Sequence, residues 1–144
     1  MHVQPYLYFS GRTEEALAFY ESALGAERGM LIRFSEAPDQ PPEGMIPADW
    51  GEKVMHCAFK VGESEILASD GCGTDGGRQG FALALSVADA GEARARFDAL
   101  AEGGQVMMPL GPTFFSPAFG MVTDRFGVAW SVVTEQEGSA QAAA

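Results

Sequence analysis

Two side chains combine the chemistry that proton transfer requires with a setting that could use it, His56 and Asp70. His56 lies within Val54 to Val61, where alternation predicts a strand with Met55, Cys57, Phe59 and Val61 on one face and His56, Ala58 and Lys60 on the other. If the apolar face meets a helix, the imidazole looks into an open cleft. There it can act as general base, orient an anionic group, or bond a neighbour across the sheet. Asp70 shares a face with Ala68, two residues before it, and a carboxylate at the mouth of such a cleft would complete an acid–base couple with His56. Both residues also have ordinary uses: His56 inside the sheet or at a dimer contact, Asp70 as a strand-ending residue that turns into Gly71.

Other chemistry-bearing residues carry less. His2 stands beside the first methionine and is expected to be solvated. Cys57 and Cys72 show no CxxC spacing and no adjacent basic residue to lower a thiol pKa, so free thiols without a catalytic role are expected. Gly71-Cys72-Gly73-Thr74-Asp75-Gly76 satisfies GxGxxG and follows a strand. The dinucleotide fingerprint works because its third glycine opens a helix, whereas here the chain runs on through Gly80 into an alternating strand. A flexible connector is the better account, and nicotinamide, flavin and S-adenosylmethionine are all disfavoured. Trp50, Phe114, Phe115 and Phe119 place aromatic surface near strand ends, suited equally to a ligand pocket or a dimer interface.

The elements that must position these residues follow from periodicity. Val3 to Phe9 predicts a strand and Glu14 to Leu24 a helix, with Thr13 as N-cap, Glu14 and Glu15 against the helix dipole, and Gly25 as stop. Met30 to Phe34 predicts a strand, and the prolines from Pro38 to Pro47 a long loop. Val54 to Val61 and Ser64 to Asp70 form a hairpin. Then the order repeats: strand Phe81 to Val87, a helix opened by Asp89 with Glu92 three residues on, a strand around Gln105 to Met108, and a hairpin of Ala118 to Thr123 with Val128 to Thr134. Trp130 and Val132 are expected to face the helix. An offset of 77 residues puts Glu15 on Glu92, Ala16 on Ala93 and Tyr20 on Phe97, which reads as an internal duplication. The expected organisation is a first βαβββ module at 1–70, a glycine-rich connector at 71–80, a second module at 81–134 and a disordered tail at 135–144.

Composition narrows the function classes. A net charge of −11 repels phosphate backbones and anionic lipid surfaces, so neither nucleic acid nor membrane is an expected partner. No stretch approaches the length of a membrane helix and the N-terminus lacks the pattern of a secretion signal, so a cytoplasmic location is expected.

Tandem βαβββ units whose first helix ends Phe19-Tyr20 and Leu24-Gly25-Ala26 resemble the vicinal-oxygen-chelate (glyoxalase/bleomycin-resistance/dioxygenase) superfamily across about Val3 to Thr134. Pro5-Tyr6-Leu7-Tyr8-Phe9, the His56 strand, Leu67-Ala68-Ser69-Asp70 and Phe119-Gly120-Met121-Val122-Thr123-Asp124 through Trp130 resemble its PhnB-like branch. The resemblance implies an α+β fold: a curled eight-stranded mixed sheet with helices on its outer face, one such domain overall, and commonly a homodimer. It also implies, in the members that catalyse, a divalent metal held by side chains of strands one, four, five and eight. Those positions carry over to Pro5, Ala68 or Ile66, Ala82 and Ser131, which do not make a metal site, so neither a metal nor another cofactor is expected. The resulting expectation is a metal-independent small-molecule-binding protein with a cleft lined by Leu7, Phe9, Trp50, His56, Asp70, Phe114, Phe115, Phe119 and Ser131. The rival is an isomerase, lyase or dioxygenase that uses His56 and Asp70 or a metal at non-standard positions.

Overall fold

Alternation in the N-terminal segment produces only a short strand, β1 (Tyr6–Tyr8), with Leu7 turned inward between two outward tyrosines. The computed structural model describes residues 4–37, 44, 46–71, 81–113 and 116–134. Its contacts divide the chain into two units, Met1–Gly76 and Gly77–Ala144.

In the first unit β1 is followed by α1 (Thr13–Leu24), β2 (Glu27–Arg33), a single 3-10 turn at Phe34–Glu36, β3 (Val54–Val61) and β4 (Ser64–Ser69). The strands form one mixed sheet in the order β1-β4-β3-β2, with β1 parallel to β4 and the other pairs antiparallel. One face of it packs on α1. Leu17 and Tyr20 of the helix are fully buried, as are Leu7, Phe59 and Ala68 of the strands. The Tyr20 and Phe59 rings stack at 5.8 Å. Removing such side chains from water contributes ~1.5–3 kcal/mol each, which makes this layer the main source of the unit's stability.

The second unit repeats the order with β5 (Leu83–Val87), α2 (Ala90–Ala101), β6 (Gln105–Gly111), β7 (Phe119–Thr123) and β8 (Ala129–Thr134), in a sheet ordered β5-β8-β7-β6. Trp130 and Val132 are buried with Phe97 and Leu100 of α2, on the face the sequence assigns them. Gly120 is what lets the helix lie this close. A Cβ there would stand 2.8 Å from the Phe97 ring and 2.9 Å from the Leu110 Cα.

The two helices differ in how they begin. Asp89 caps α2 locally, its carboxylate accepting from the Glu92 amide at 2.8 Å. Thr13 was expected to cap α1 in the same way, but the N-cap is Arg12, with no side-chain cap bond of its own, and Thr13 is the first helical residue. The acceptor for this turn comes instead from the end of β4, as Asp70.

Candidate functional site

Each sheet has a helix-covered face and an open one, and strand parity decides which side chains reach the open face. In the first unit Cys57 and Phe59 are buried toward α1, and His56 therefore points to the open side, as alternation predicts. Tyr6 and Tyr8 of β1 point the same way, and are 38% and 55% exposed. The Tyr6 hydroxyl and His56 Nδ1 are 2.8 Å apart, the Tyr6 and Tyr8 rings stack at 5.0 Å, and the Tyr6 and His56 rings are 5.5 Å apart. Partial burial first, and then the neighbouring Tyr8, push the Tyr6 phenol's pKa up, so the phenol keeps its proton at neutral pH.

Leu7 and Phe9, expected in the cleft, belong to the other face. Leu7 pairs in register with buried Ala68, and Phe9 packs on Tyr20 with ring centroids 6.2 Å apart. The residues that sequence reasoning missed are their neighbours Tyr6 and Tyr8. The available signal was the tyrosine hydroxyl, which suits a half-wet surface better than the leucine and phenylalanine beside it do.

Asp70 is also on the helix side, 2% exposed, and is not paired with His56. Its Oδ1 accepts from the amides of Gly11 (3.0 Å) and Thr13 (2.9 Å) and from the Thr13 hydroxyl (2.5 Å), and its Oδ2 accepts from the Val54 amide at 2.8 Å. The carboxylate thus closes the first turn of α1 onto the start of β3, a structural use of the kind a strand-ending aspartate offers. The acid–base couple proposed from sequence is corrected on this geometry. Trp50 braces the same region: its indole N–H donates to the Gly71 carbonyl at 3.2 Å, and the Lys53 ammonium lies 5.7 Å over its ring.

A polar groove of about 380 Å³ opens beside this turn, between Glu14, Glu15, Arg33, Glu52 and Lys53. Its cations are already engaged. Arg33 pairs with Glu14 and donates to the Glu52 carbonyl, and Lys53 donates to the Gly11 carbonyl at 3.0 Å. The Arg33 hydrogen bond holds the Glu14 carboxyl below its ordinary pKa.

In the second unit Phe119, Met121 and Ser131 share the open face of the sheet, opposite buried Gly120, Val122 and Val132, with Met121 and Ser131 paired in register. Phe114 and Phe115 lie outside the described residues.

A family model described as 3-demethylubiquinone-9 3-methyltransferase matches residues 1–133. The chain belongs to this PhnB-like family. Protein YjdN of Escherichia coli (strain K12) is 34% identical over 140 residues, covering 92% of this chain and 94% of that protein. Among solved structures, protein PA1353 from Pseudomonas aeruginosa is 42% identical with a TM-score of 0.83, covering 95% of this chain and 99% of that one. A PhnB protein from Bacillus cereus is 26% identical with a TM-score of 0.76, covering 93% and 99%. The fold alone extends to a glyoxylase/bleomycin resistance protein/dioxygenase domain from Frankia, at 18% identity and a TM-score of 0.61, covering 96% and 93%.

Metal-dependent superfamily members hold a divalent ion with imidazole and carboxylate groups. On the open face of its first sheet this PhnB-like chain carries the phenols of Tyr6 and Tyr8, one imidazole whose Nδ1 is engaged, and a single strand-four carboxylate, Glu65, which accepts from the Gln4 amide. Of the second-unit positions, Ala82 has no donor in its side chain and Ser131 only a hydroxyl. Ala68 and Ile66, the fourth-strand candidates, are buried toward α1. Such a donor set does not fit a divalent metal. Among the described residues no three of His, Cys, Asp or Glu come together. The methyltransferase description of the family implies an S-adenosylmethionine site. Residues 72–80 of the glycine-rich segment lie outside the described ones, and the element that follows is strand β5, where a phosphate- or nucleoside-gripping loop would open a helix. No helix among the described residues is long and apolar enough to cross a membrane.

Proposed function

We propose that this PhnB-like protein binds a small molecule without a metal, on the open face of its first sheet, over Tyr6, Tyr8 and His56. The observation that carries this reading is an outward-facing stacked tyrosine pair next to a hydrogen-bonded imidazole. Aromatic surface with a few fixed polar groups is the usual composition of ligand sites. The Tyr6–His56 bond also favours the rival reading, an enzyme in which His56 is the general base and Tyr6, in place of Asp70, its orienting partner.

A homodimer acting in the cytoplasm is part of this proposal. Val106, Met107 and Met108 of the edge strand β6 are 44%, 60% and 44% exposed, an uncovered apolar run of the kind that subunit contacts cover. Light scattering at micromolar concentration checks the assembly, with a dimer mass expected. Ligand-observed NMR against a fragment collection checks the binding. Hits that shift Tyr6, Tyr8 and His56 support the site, and hits that shift only other residues remove it.

A further inference from the structure

From Gly103 to Thr123 the sequence carries no charged side chain, the longest such stretch in a chain of which 20% is charged and whose net charge is −11. The edge strand β6 lies inside it. In β7 burial alternates residue by residue, as it does in a strand with one covered face, but Gln105 to Pro109 of β6 are exposed at every position. Val106, Met107 and Met108 therefore show apolar surface on both sides of the strand, and no charge interrupts it. Sheet edges left open to water ordinarily carry charges. The corresponding edge of the first unit, β2, does so. Its exposed Met30, which the 77-residue offset maps onto Met107, has Arg28, paired with Glu21, before it in the strand and Arg33, paired with Glu14, after it.

The backbone of β6 is poorly suited to receive another strand. Its register with β7 shifts on both sides of Met108, Pro109 has no N–H to give, and the Leu110 carbonyl already accepts from the Arg94 guanidinium at 3.2 Å. What the strand offers a partner is its side chains. Met107 stands at the centre of the exposed run, is 60% exposed, and is left by the first register shift with no residue opposite it in β7. An unbranched, polarisable methionine side chain adapts to the surface it meets.

We propose that this strip is the contact with a second copy of the chain, the two β6 strands meeting side chain to side chain about a two-fold axis that passes at Met107. Charge selects this occupant. Two molecules at −11 repel each other, and least where neither carries charge, so self-association belongs on the uncharged strip. A different partner would be guided to an acidic protein by opposite charge, and the strip has none to guide it. A two-fold contact puts the same strip on both sides, so apolar surface meets apolar surface without a second complementary patch. The inference rests on the homodimer reading above and names the surface that forms it.

Charge placed at residue 107 tests the contact, because a two-fold axis brings like charges together. Met107→Lys and Met107→Glu, each in the full-length protein, are expected to keep the circular dichroism of the unaltered protein, since the position is exposed. In sedimentation equilibrium each should weaken the dimer by at least about a hundredfold, as an unpaired charge buried in a contact does. Mixed in equal amounts the two variants should dimerise again, because the introduced ammonium of one molecule then meets the introduced carboxylate of the other. Higher salt is expected to tighten the dimer of the unaltered protein by screening the repulsion between two acidic molecules. Dimers that survive both substitutions overturn the strip and leave the homodimer reading standing. Monomers that mixing fails to recombine overturn the two-fold at Met107. A dimer that salt weakens overturns the uncharged contact, since ion pairs then hold it. An unaltered protein that is monomeric at micromolar concentration overturns the strip and the homodimer together.

Discussion

Tyr6 and His56 touch although their strands are not neighbours: β4 lies between β1 and β3, and the phenol spans it to reach the imidazole at 2.8 Å. Two inter-strand spacings amount to roughly 10 Å, so the contact requires a long side chain on one strand and a low one between. Ser69, on the intervening strand and in register with Tyr8, is such a low residue. The polar end of the proposed site is therefore formed by two residues from non-adjacent strands, held at a fixed separation by the strand between them.

Replacing His56 by alanine is expected to abolish the response to ligands that bind over Tyr6 and Tyr8 and to change stability by no more than about 1 kcal/mol, because the side chain is partly exposed on the uncovered face. Chemical denaturation and ligand titration on the same variant check both halves. A large loss of stability would give His56 a structural role instead.

Asp70→Ala is expected to behave in the opposite way. It strands the buried amides of Gly11, Thr13 and Val54 at the start of α1 and β3, and should cost about 3 kcal/mol or more. A fall in melting temperature of roughly 10 °C is the corresponding thermal signature. A loss below about 1 kcal/mol would mean that water replaces the carboxylate and that the turn does not depend on it.

Gly120→Ala should cost about 1–3 kcal/mol, because the added methyl meets both Phe97 and the Leu110 backbone. Pairing it with Phe97→Leu should recover part of the loss, since the clash with the ring is then relieved. Failure of the double variant to recover any stability would put the whole strain on Leu110.

Cys57 is buried in β3, and burial first, with Asp70 adding to it, pushes its thiol up to about 11. A thiol reagent at neutral pH should leave it unmodified until the protein is denatured. The pH dependence has a definite sign. The folded state holds this proton more tightly than the unfolded state, so the stabilising contribution is full below the ordinary thiol pKa of 9.0 and is lost as pH rises toward about 11. Denaturation midpoints of the unaltered protein and Cys57→Ala across that interval check it. The steeper alkaline decline belongs to the cysteine form.

The fold was legible where periodicity was unambiguous. Val54–Val61 is a strand with the predicted bounds, and Cys57 and Phe59 inward with His56 outward agree with the structure, whereas at its start Val54 is buried in place of Met55. The 77-residue offset maps Thr13–Leu24 onto Ala90–Ala101, the two observed helices. Periodicity failed at Tyr6-Leu7-Tyr8-Phe9, where successive large side chains offer no polar partner by which to fix parity, and a one-residue error inverts the face. It also ended β6 too early, since a proline usually stops a strand, whereas Pro109 sits in an edge strand that tolerates it. Asp70 was named but given the wrong partner. Its bond to Thr13 spans 57 residues, and no local pattern records that.

The difference between the two helix starts sets an order of events in folding. Asp89 and its amide partner Glu92 are three residues apart, so the cap of α2 can form within a short stretch of chain. The cap of α1 needs Asp70, and with it the whole path through β2, β3 and β4, before its first turn is tied down. Closing the longer loop carries the larger entropy cost, and contacts of large sequence separation form late. In pulsed hydrogen exchange during refolding, amides of α2 should gain protection before those of α1, although the two helices have the same length. A transplanted local cap, Arg12→Asp, should narrow that interval by giving the first helix a start that does not wait for the rest of its sheet.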